Sequence, residues 1–303
     1  MKRPGKRYWL SYLLCLALCA NSLYAQQKLQ VVTKTIEQDL KEVLDSGIVI
    51  KGRKAEVTVT GWEKDFIRVE MDLIAKHPNR KVALEELDFI QYAISKTTDQ
   101  YVLRNTFYST ARKSKVRSSL SVKYRIFIPV DQSVVVNNEY GVIDLLNLYG
   151  SIKIDGNFCD VNLERLFGEV QAHVSYGEVK GKNLDGLTIM DLQRTDMSLQ
   201  GFAGDVRIKN QYGSLELFPN TLLKALDVKS RHGKVSLSVN KLDAFNYDVS
   251  VNGSFIDLPE TESRRLQVNE LDKSYAFKVE NGLSKARISI KNLLFPVKII
   301  AQK

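Results

Sequence analysis

The chain has 303 residues, of which 44% are hydrophobic and 26% charged, with a formal net charge of +9 at pH 7. Two of its three cysteines, Cys15 and Cys19, lie in a segment that reads as a leader, so Cys159 is left alone and no intramolecular disulfide can form. Four basic residues leave with that leader, giving about +5, a bias too mild to single out a partner, and export disfavours nucleic acid.

Lys2, Arg3, Lys6 and Arg7 form a basic stretch ahead of an apolar run from Trp9 to Ala20, broken only by Ser11. That run is too short to span a bilayer as a helix and reads as a secretory signal over 1–25, cut after Ala25. No later run approaches the roughly 20 apolar residues of a transmembrane helix, so none is expected in 26–303. Residence in the periplasm or on the cell surface follows.

Residues 26–130 read as a β-rich capping region with one short helix. Glu56-Val57-Thr58-Val59-Thr60 and Phe66-Ile67-Arg68-Val69-Glu70-Met71 alternate like two half-buried strands around a turn at Gly61-Trp62. Asn79 then offers an N-cap, and Val82, Leu84, Leu87 and Ile90 recur at helical spacing over about ten residues. Ala93 to Ser95, Tyr101 to Thr106 and Leu120 to Ile128 return to strand patterns. Arg112, Lys113, Lys115 and Arg117 cluster between the last two. They read first as a solvated loop, and second as a contact with an anionic envelope surface.

From 131 to 258 the chain repeats itself. Between Gly141 and Gly213, seven of ten glycines fall in one phase of nine residues, at 141, 150, 168, 177, 186, 204 and 213. Cys159 and Thr195 hold the two remaining marker positions. Apolar residues follow two and four places later, as in Ile143 and Leu145, Val161 and Leu163, Met197 and Leu199, and Leu215 and Leu217. The step then loosens to twenty between Gly213, Gly233 and Gly253. Such a unit cannot bury its apolar side alone, so successive units must stack. The expected fold is an all-β solenoid (β-helix) with nine-residue half-coils, eighteen residues making one coil. An antiparallel meander is the competing arrangement. Residues 259–303 are expected to form a C-terminal β cap, and 26–303 could be one continuous domain.

The residue before each marker carries a second regularity. With eighteen residues per coil, Tyr140, Phe158, Tyr176, Arg194 and Tyr212 form one ladder, with Arg194 between two tyrosines. A ladder that locks register is the plainer reading. A platform for a glycan or another flat ligand is the functional one.

The run Val134-Val135-Val136-Asn137-Asn138-Glu139-Tyr140-Gly141-Val142-Ile143-Asp144-Leu145 is echoed by Val174-Ser175-Tyr176-Gly177-Glu178-Val179 and by Ile208-Lys209-Asn210-Gln211-Tyr212-Gly213-Ser214-Leu215-Glu216-Leu217. With Val57-Thr58-Val59-Thr60-Gly61-Trp62 and Ile126-Phe127-Ile128-Pro129 upstream, it resembles the bacterial putative-adhesin domain family, similar in style to head-GIN adhesin-like domains. The resemblance covers most of 26–303. It implies a right-handed β-helical solenoid, export to the envelope or surface, and no catalytic residues to carry over.

Motifs for other chemistry are weak. The repeat lacks the Gly-Gly-x-Gly-x-Asp turns of a calcium roll. His77, His173 and His232 are far apart, without ligand spacing. Cys159 and His173 form only a formal nucleophile pair, and no phosphate loop occurs. No metal or cofactor is therefore expected. The enzymatic alternative is a carbohydrate-active β-helix enzyme, a polysaccharide lyase or hydrolase, using carboxylates among Asp144, Asp155, Asp160, Asp191, Asp196 and Asp205. The first expectation is a non-enzymatic, exported, adhesin-like surface-binding or envelope scaffold protein, whose partner is a glycan or an envelope protein. A third is an envelope signalling accessory protein that contacts a membrane protein through the Arg112–Arg117 cluster.

Overall fold

The computed structural model describes residues 29–41, 47–108, 116–282 and 286–301. The leader-like segment, and Arg112, Lys113 and Lys115, lie outside them. Among the described residues no helix is long and apolar enough to cross a membrane.

The described chain is mostly strand. In order come β1 (Gln30–Leu40), β2 (Ile48–Trp62), β3 (Ile67–His77), the helix α1 (Arg80–Leu87), β4 (Ile90–Lys96), β5 (Tyr101–Phe107), β6 (Ser119–Pro129), β7 (Val134–Leu148), the 60-residue β8 (Ile152–Gln211) and β9 (Leu215–Arg231). β10 (Val235–Val239), β11 (Asn246–Asn252), β12 (Ile256–Asp257), β13 (Leu266–Asn269), β14 (Ser274–Val279), β15 (Arg287–Leu293) and β16 (Val297–Ala301) complete the set. They form one large, open, mixed sheet whose main path runs β1-β3-β6-β2-β7-β8-β9-β15-β11-β14-β13.

The centre of that sheet is parallel and obeys one offset. Val134 of β7 pairs with Ile152 of β8, Ile143 with Val161 and Leu145 with Leu163, each eighteen residues on. Met197 pairs with Leu215 at the same offset. After an irregularity between Gln200 and Asp205 the offset becomes twenty, as in Val206 opposite Leu226. Side chains alternate across the pleat, and Ile143, Leu145, Ile154, Val161, Leu163, Leu199 and Leu217 are all buried. Each such burial is worth roughly 1.5–3 kcal/mol before the cost of ordering the chain.

Two strands flank the chain reversal near Gly61-Trp62, as the alternation suggests, but they do not pair with each other. β2 and β3 exist, but β6 lies between them, parallel to β2 and antiparallel to β3. Trp62 stacks on Phe127 of β6, with centroids 5.4 Å apart, which fixes that neighbour. β1, an edge strand the sequence pattern did not reveal, pairs antiparallel with β3. In α1 the Asn79 side chain accepts from the Lys81 backbone N–H at 2.9 Å, as its residue type suggests. The helix ends at Leu87, because Ile90 already belongs to β4.

The segment from 259 onward contributes strands to two parts of the sheet. β15 runs parallel between β9 and β11, and β16 between β10 and β12. Leu293 therefore separates Arg231 from Asn252, and the Gly233-to-Gly253 step is not between adjacent strands. The hairpin of β13 and β14 pairs onto β11 and ends the path.

Candidate functional site: the corner ladder

Sharp corners at one column of the stack share a backbone conformation. Tyr140, Phe158, Tyr176, Arg194, Tyr212 and His232 have φ of 64°, 54°, 59°, 51°, 61° and 59°. This left-handed region costs an ordinary side chain about 1–2 kcal/mol. Stacking returns part of that cost, since an aromatic pair contributes about 0.5–1.5 kcal/mol beyond its buried area.

The marker glycines divide in conformation: Gly141, Gly186 and Gly204 have positive φ, of 148°, 112° and 70°, and others do not. Gly177 and Gly213 are not left-handed; that conformation sits one residue earlier, at Tyr176 and Tyr212. What bars a side chain is close approach. A Cβ at Gly177 would lie under 3.0 Å from the backbone carbonyl of Cys159, and one at Gly213 equally close to that of Thr195. Cys159 and Thr195 thus alternate with glycines along the column, and their side chains turn inward.

Those inward groups answer a hydrogen-bonding problem, because a tight corner buries carbonyls that no ladder bond satisfies. Asn138 Nδ2 donates to Ala55 O at 2.8 Å, and Cys159 Sγ to Asn138 O at 3.3 Å. Thr195 Oγ1 donates to Val174 O at 3.1 Å, Asn210 Nδ2 to Gly213 O at 2.6 Å and Asn292 Nδ2 to Gly233 O at 2.9 Å. The sequence reading did not single out this set. Its signature is Asn or Ser three places before the marker, as in Asn138, Asn210 and Ser230.

On the outside the structure brings all five ladder residues together. Tyr140 and Phe158 stack at 5.0 Å with planes 7° apart, and Phe158 and Tyr176 at 4.8 Å. The Arg194 guanidinium lies 5.5 Å from the ring centres of both Tyr176 and Tyr212. His232 extends the file, 4.8 Å from Tyr212. Tyr140, Phe158, Tyr176 and Tyr212 remain 40–45% exposed. Because Phe158, Tyr176 and Tyr212 each have a neighbour on both sides, that part of the strip presents ring edges and phenolic hydroxyls to solvent.

The basic cluster is represented by Arg117 alone. Its backbone N–H and Nε donate to the buried Glu86 carboxylate at 3.0 and 3.2 Å, which ties it to α1. Burial alone would raise the Glu86 pKa, but hydrogen bonds from Ser118 and Arg117 more than offset it and hold the carboxyl below its usual range.

Carboxylates considered for catalysis have structural partners instead. Asp160 accepts from Glu178 N at 3.2 Å, while Asp196 accepts from Ser214 N and Oγ, both at 2.7 Å. Asp144 accepts from Asn162 Nδ2 at 2.7 Å, in a cleft of about 660 Å³ that Leu146, Lys180 and Gln200 also line. Asp155 is exposed, and Asp205 lines a separate cleft with Asp227 and Asp248. The histidines are dispersed: His77 Nδ1 accepts from Asn79 N, His173 lies 3.9 Å from Asp191, and His232 ends the ladder. Cys159 is buried, and burial pushes its thiol up to about 11, while His173 is exposed on the outer face. Among the described residues no group of three metal-ligating side chains converges.

No family model and no curated protein matches the chain. Among solved structures it is similar to a putative adhesin from Parabacteroides merdae ATCC 43184, at 11% identity and a TM-score of 0.44, covering 89% of this chain and 96% of that one. It is also similar to a putative adhesin from Parabacteroides distasonis ATCC 8503 (11% identity, TM-score 0.38, 88% and 97% covered). A putative lipid binding protein from the same organism gives 10% identity, a TM-score of 0.37, and 88% and 97% coverage. Two of these three neighbours carry the description putative adhesin.

Proposed function

We propose that this chain is a non-enzymatic, exported, adhesin-like protein that presents a rigid outer surface to a glycan or envelope partner. In this reading 1–25 is a cleaved signal, 26–130 caps one end, 131–258 winds as a right-handed β-solenoid, and 259–303 completes the other end. The eighteen-residue parallel offset, lengthening to twenty from Asp205, and the recurring left-handed corners support the solenoid. The observation that carries the function is the file Tyr140-Phe158-Tyr176-Arg194-Tyr212. It keeps its rings and guanidinium exposed and in register along a stiff edge, and so pre-organises a binding strip. The structural duties of Asp144, Asp160 and Asp196 favour binding over turnover.

The test uses chain lacking 1–25, with binding measured on arrayed glycans and on isolated envelope fractions. Phe158→Asn with Tyr176→Asn removes two rings while keeping a residue type that tolerates a left-handed backbone. Binding should fall about tenfold, in line with the loss of two aromatic contacts. Unchanged binding by a folded double variant would leave the ladder a register lock only. Turnover of a polysaccharide, abolished by changing two of the aspartates, would replace the reading by an enzymatic one.

A further inference from the structure

A second file of side chains runs beside the ladder. β8, β9 and β15 are parallel and in register, with Lys209 opposite Lys229 and Lys229 opposite Lys291. Neighbouring strands lie about 4.8 Å apart, so three ammonium groups stand in single file on the outer face. All three are exposed. None takes part in an ion pair among the described residues. Like charges directly opposite one another destabilise a sheet. Elsewhere many such charges are compensated: Arg207 faces Asp227, Arg287 bonds Asp248 at 2.8 Å, and Arg125 bonds Glu70 and Asp72, although Lys51 also faces Arg104. The lysine file carries such a like-charge contact across three successive strands.

Its surroundings select the occupant. Arg231 stands two residues beyond Lys229 on the same face and leads to His232 at the end of the ladder. Two surface clefts, of about 420 and 360 Å³, meet at Lys229. Asp191, Asp205, Asp227 and Asp248 border them. Those acids would repel a broad anionic plane such as a lipid surface, while Lys209, Lys229, Lys291, Arg207, Arg231 and Arg287 line the same two clefts with positive charge. Single-stranded nucleic acid needs free aromatic faces for its bases, whereas the Tyr212 ring lies parallel against His232, 8° apart. A linear chain with one anionic group per sugar residue fits a track whose cations recur at about one strand spacing. We propose that the Lys209–Lys229–Lys291 file binds an acidic polysaccharide, its carboxylate or sulfate groups lying along the stack. This names the ligand class for the binding surface inferred above and rests on that reading.

Polygalacturonate, dextran sulfate, neutral dextran and phosphatidylglycerol vesicles serve as probes for the chain lacking 1–25. The chain should bind the two acidic polysaccharides, release them as salt rises, and leave neutral dextran unbound. The Lys209→Gln/Lys229→Gln/Lys291→Gln variant should bind about tenfold more weakly, the scale of three exposed ion pairs. The matching Lys→Arg variant should keep its affinity. Relief of repulsion also predicts a low-salt melting point for the Gln variant at or above that of the parent. A lower melting point, undiminished acidic-polysaccharide binding, or preference for the vesicles would overturn the proposal. Loss of binding in the lysine variant alone removes the ladder from the site but keeps the lysine file. Loss in the Phe158→Asn/Tyr176→Asn variant alone does the reverse, and no binding to any probe removes the acidic-polysaccharide assignment.

Discussion

Two glycines 21 residues apart, Gly177 in the marker phase and Gly156 outside it, should respond to the same substitution with opposite signs. At Gly177 a new Cβ meets the backbone carbonyl of Cys159 at under 3.0 Å, a contact that a neighbouring side chain cannot relieve by rotating. The adjoining strands must part instead. That weakens the flanking ladder hydrogen bonds, each worth about 1 kcal/mol net, and adds about 1–3 kcal/mol of overpacking. Gly177→Ala should therefore destabilise by about 2–5 kcal/mol. At Gly156 the new methyl finds Cys159 Cβ at 3.4 Å, Ile143 Cδ1 at 3.6 Å and Val161 Cγ2 at 3.7 Å, all ordinary apolar contacts. There the variant gains by restricting the unfolded chain, about 0.4–1 kcal/mol, with a buried methyl adding on the order of 0.8 kcal/mol. Urea unfolding followed by far-ultraviolet circular dichroism gives both midpoints. Equal midpoints for Gly177→Ala and the parent, or a fall at Gly156→Ala as large as that at Gly177→Ala, would refute close approach as the reason for the glycine markers.

Other expectations follow from the same corner. Tyr212→Val should melt lower than Tyr212→Asn, by a difference equivalent to about 1–2 kcal/mol, because both lose the ring but only Asn tolerates φ near 61°; equal melting points would contradict this. Asn210→Ala leaves the Gly213 carbonyl and Ser230 Oγ without their donor, and urea unfolding should register a loss of about 1–3 kcal/mol. In chain lacking 1–25, Cys159 should resist an aromatic disulfide reagent at pH 8 and react once denatured, since burial and a thiol pKa of about 11 leave about one thiolate in a thousand. Rapid labelling of the folded chain would oppose that. Glu86 is held below its ordinary 4.5 in the folded state, so the stability it adds is present above that pH and lost as pH falls through the lowered value. A pH series of melting points should show that acid-side loss reduced in Glu86→Gln.

The repeat was legible because its cause is local. Gly150, Gly168 and Gly177 each avoid a backbone clash with the chain about eighteen residues earlier, so the spacing itself records the parallel pairing. Ring type at Tyr140, Phe158 and Tyr176 likewise recorded the ladder, although not that those residues carry the left-handed backbone. β1 escaped notice because Val31 and Glu37 to Asp39 are exposed on an edge and do not alternate cleanly. The insertion of β15 escaped for a deeper reason. Ile288 and Ile290 alternate as any half-buried strand does, and nothing near them in sequence states that Leu226 and Val228 are their neighbours. Pairing over such a distance is decided by which exposed edge remains when the rest has stacked, a property of the whole sheet. Lys291 therefore looks like an ordinary surface residue until that edge is known, and only then does it align with Lys229 and Lys209. The feature with the clearest bearing on a ligand thus arises where local pattern carries least information, because a repeat encodes its own continuation but not what is slipped between its turns.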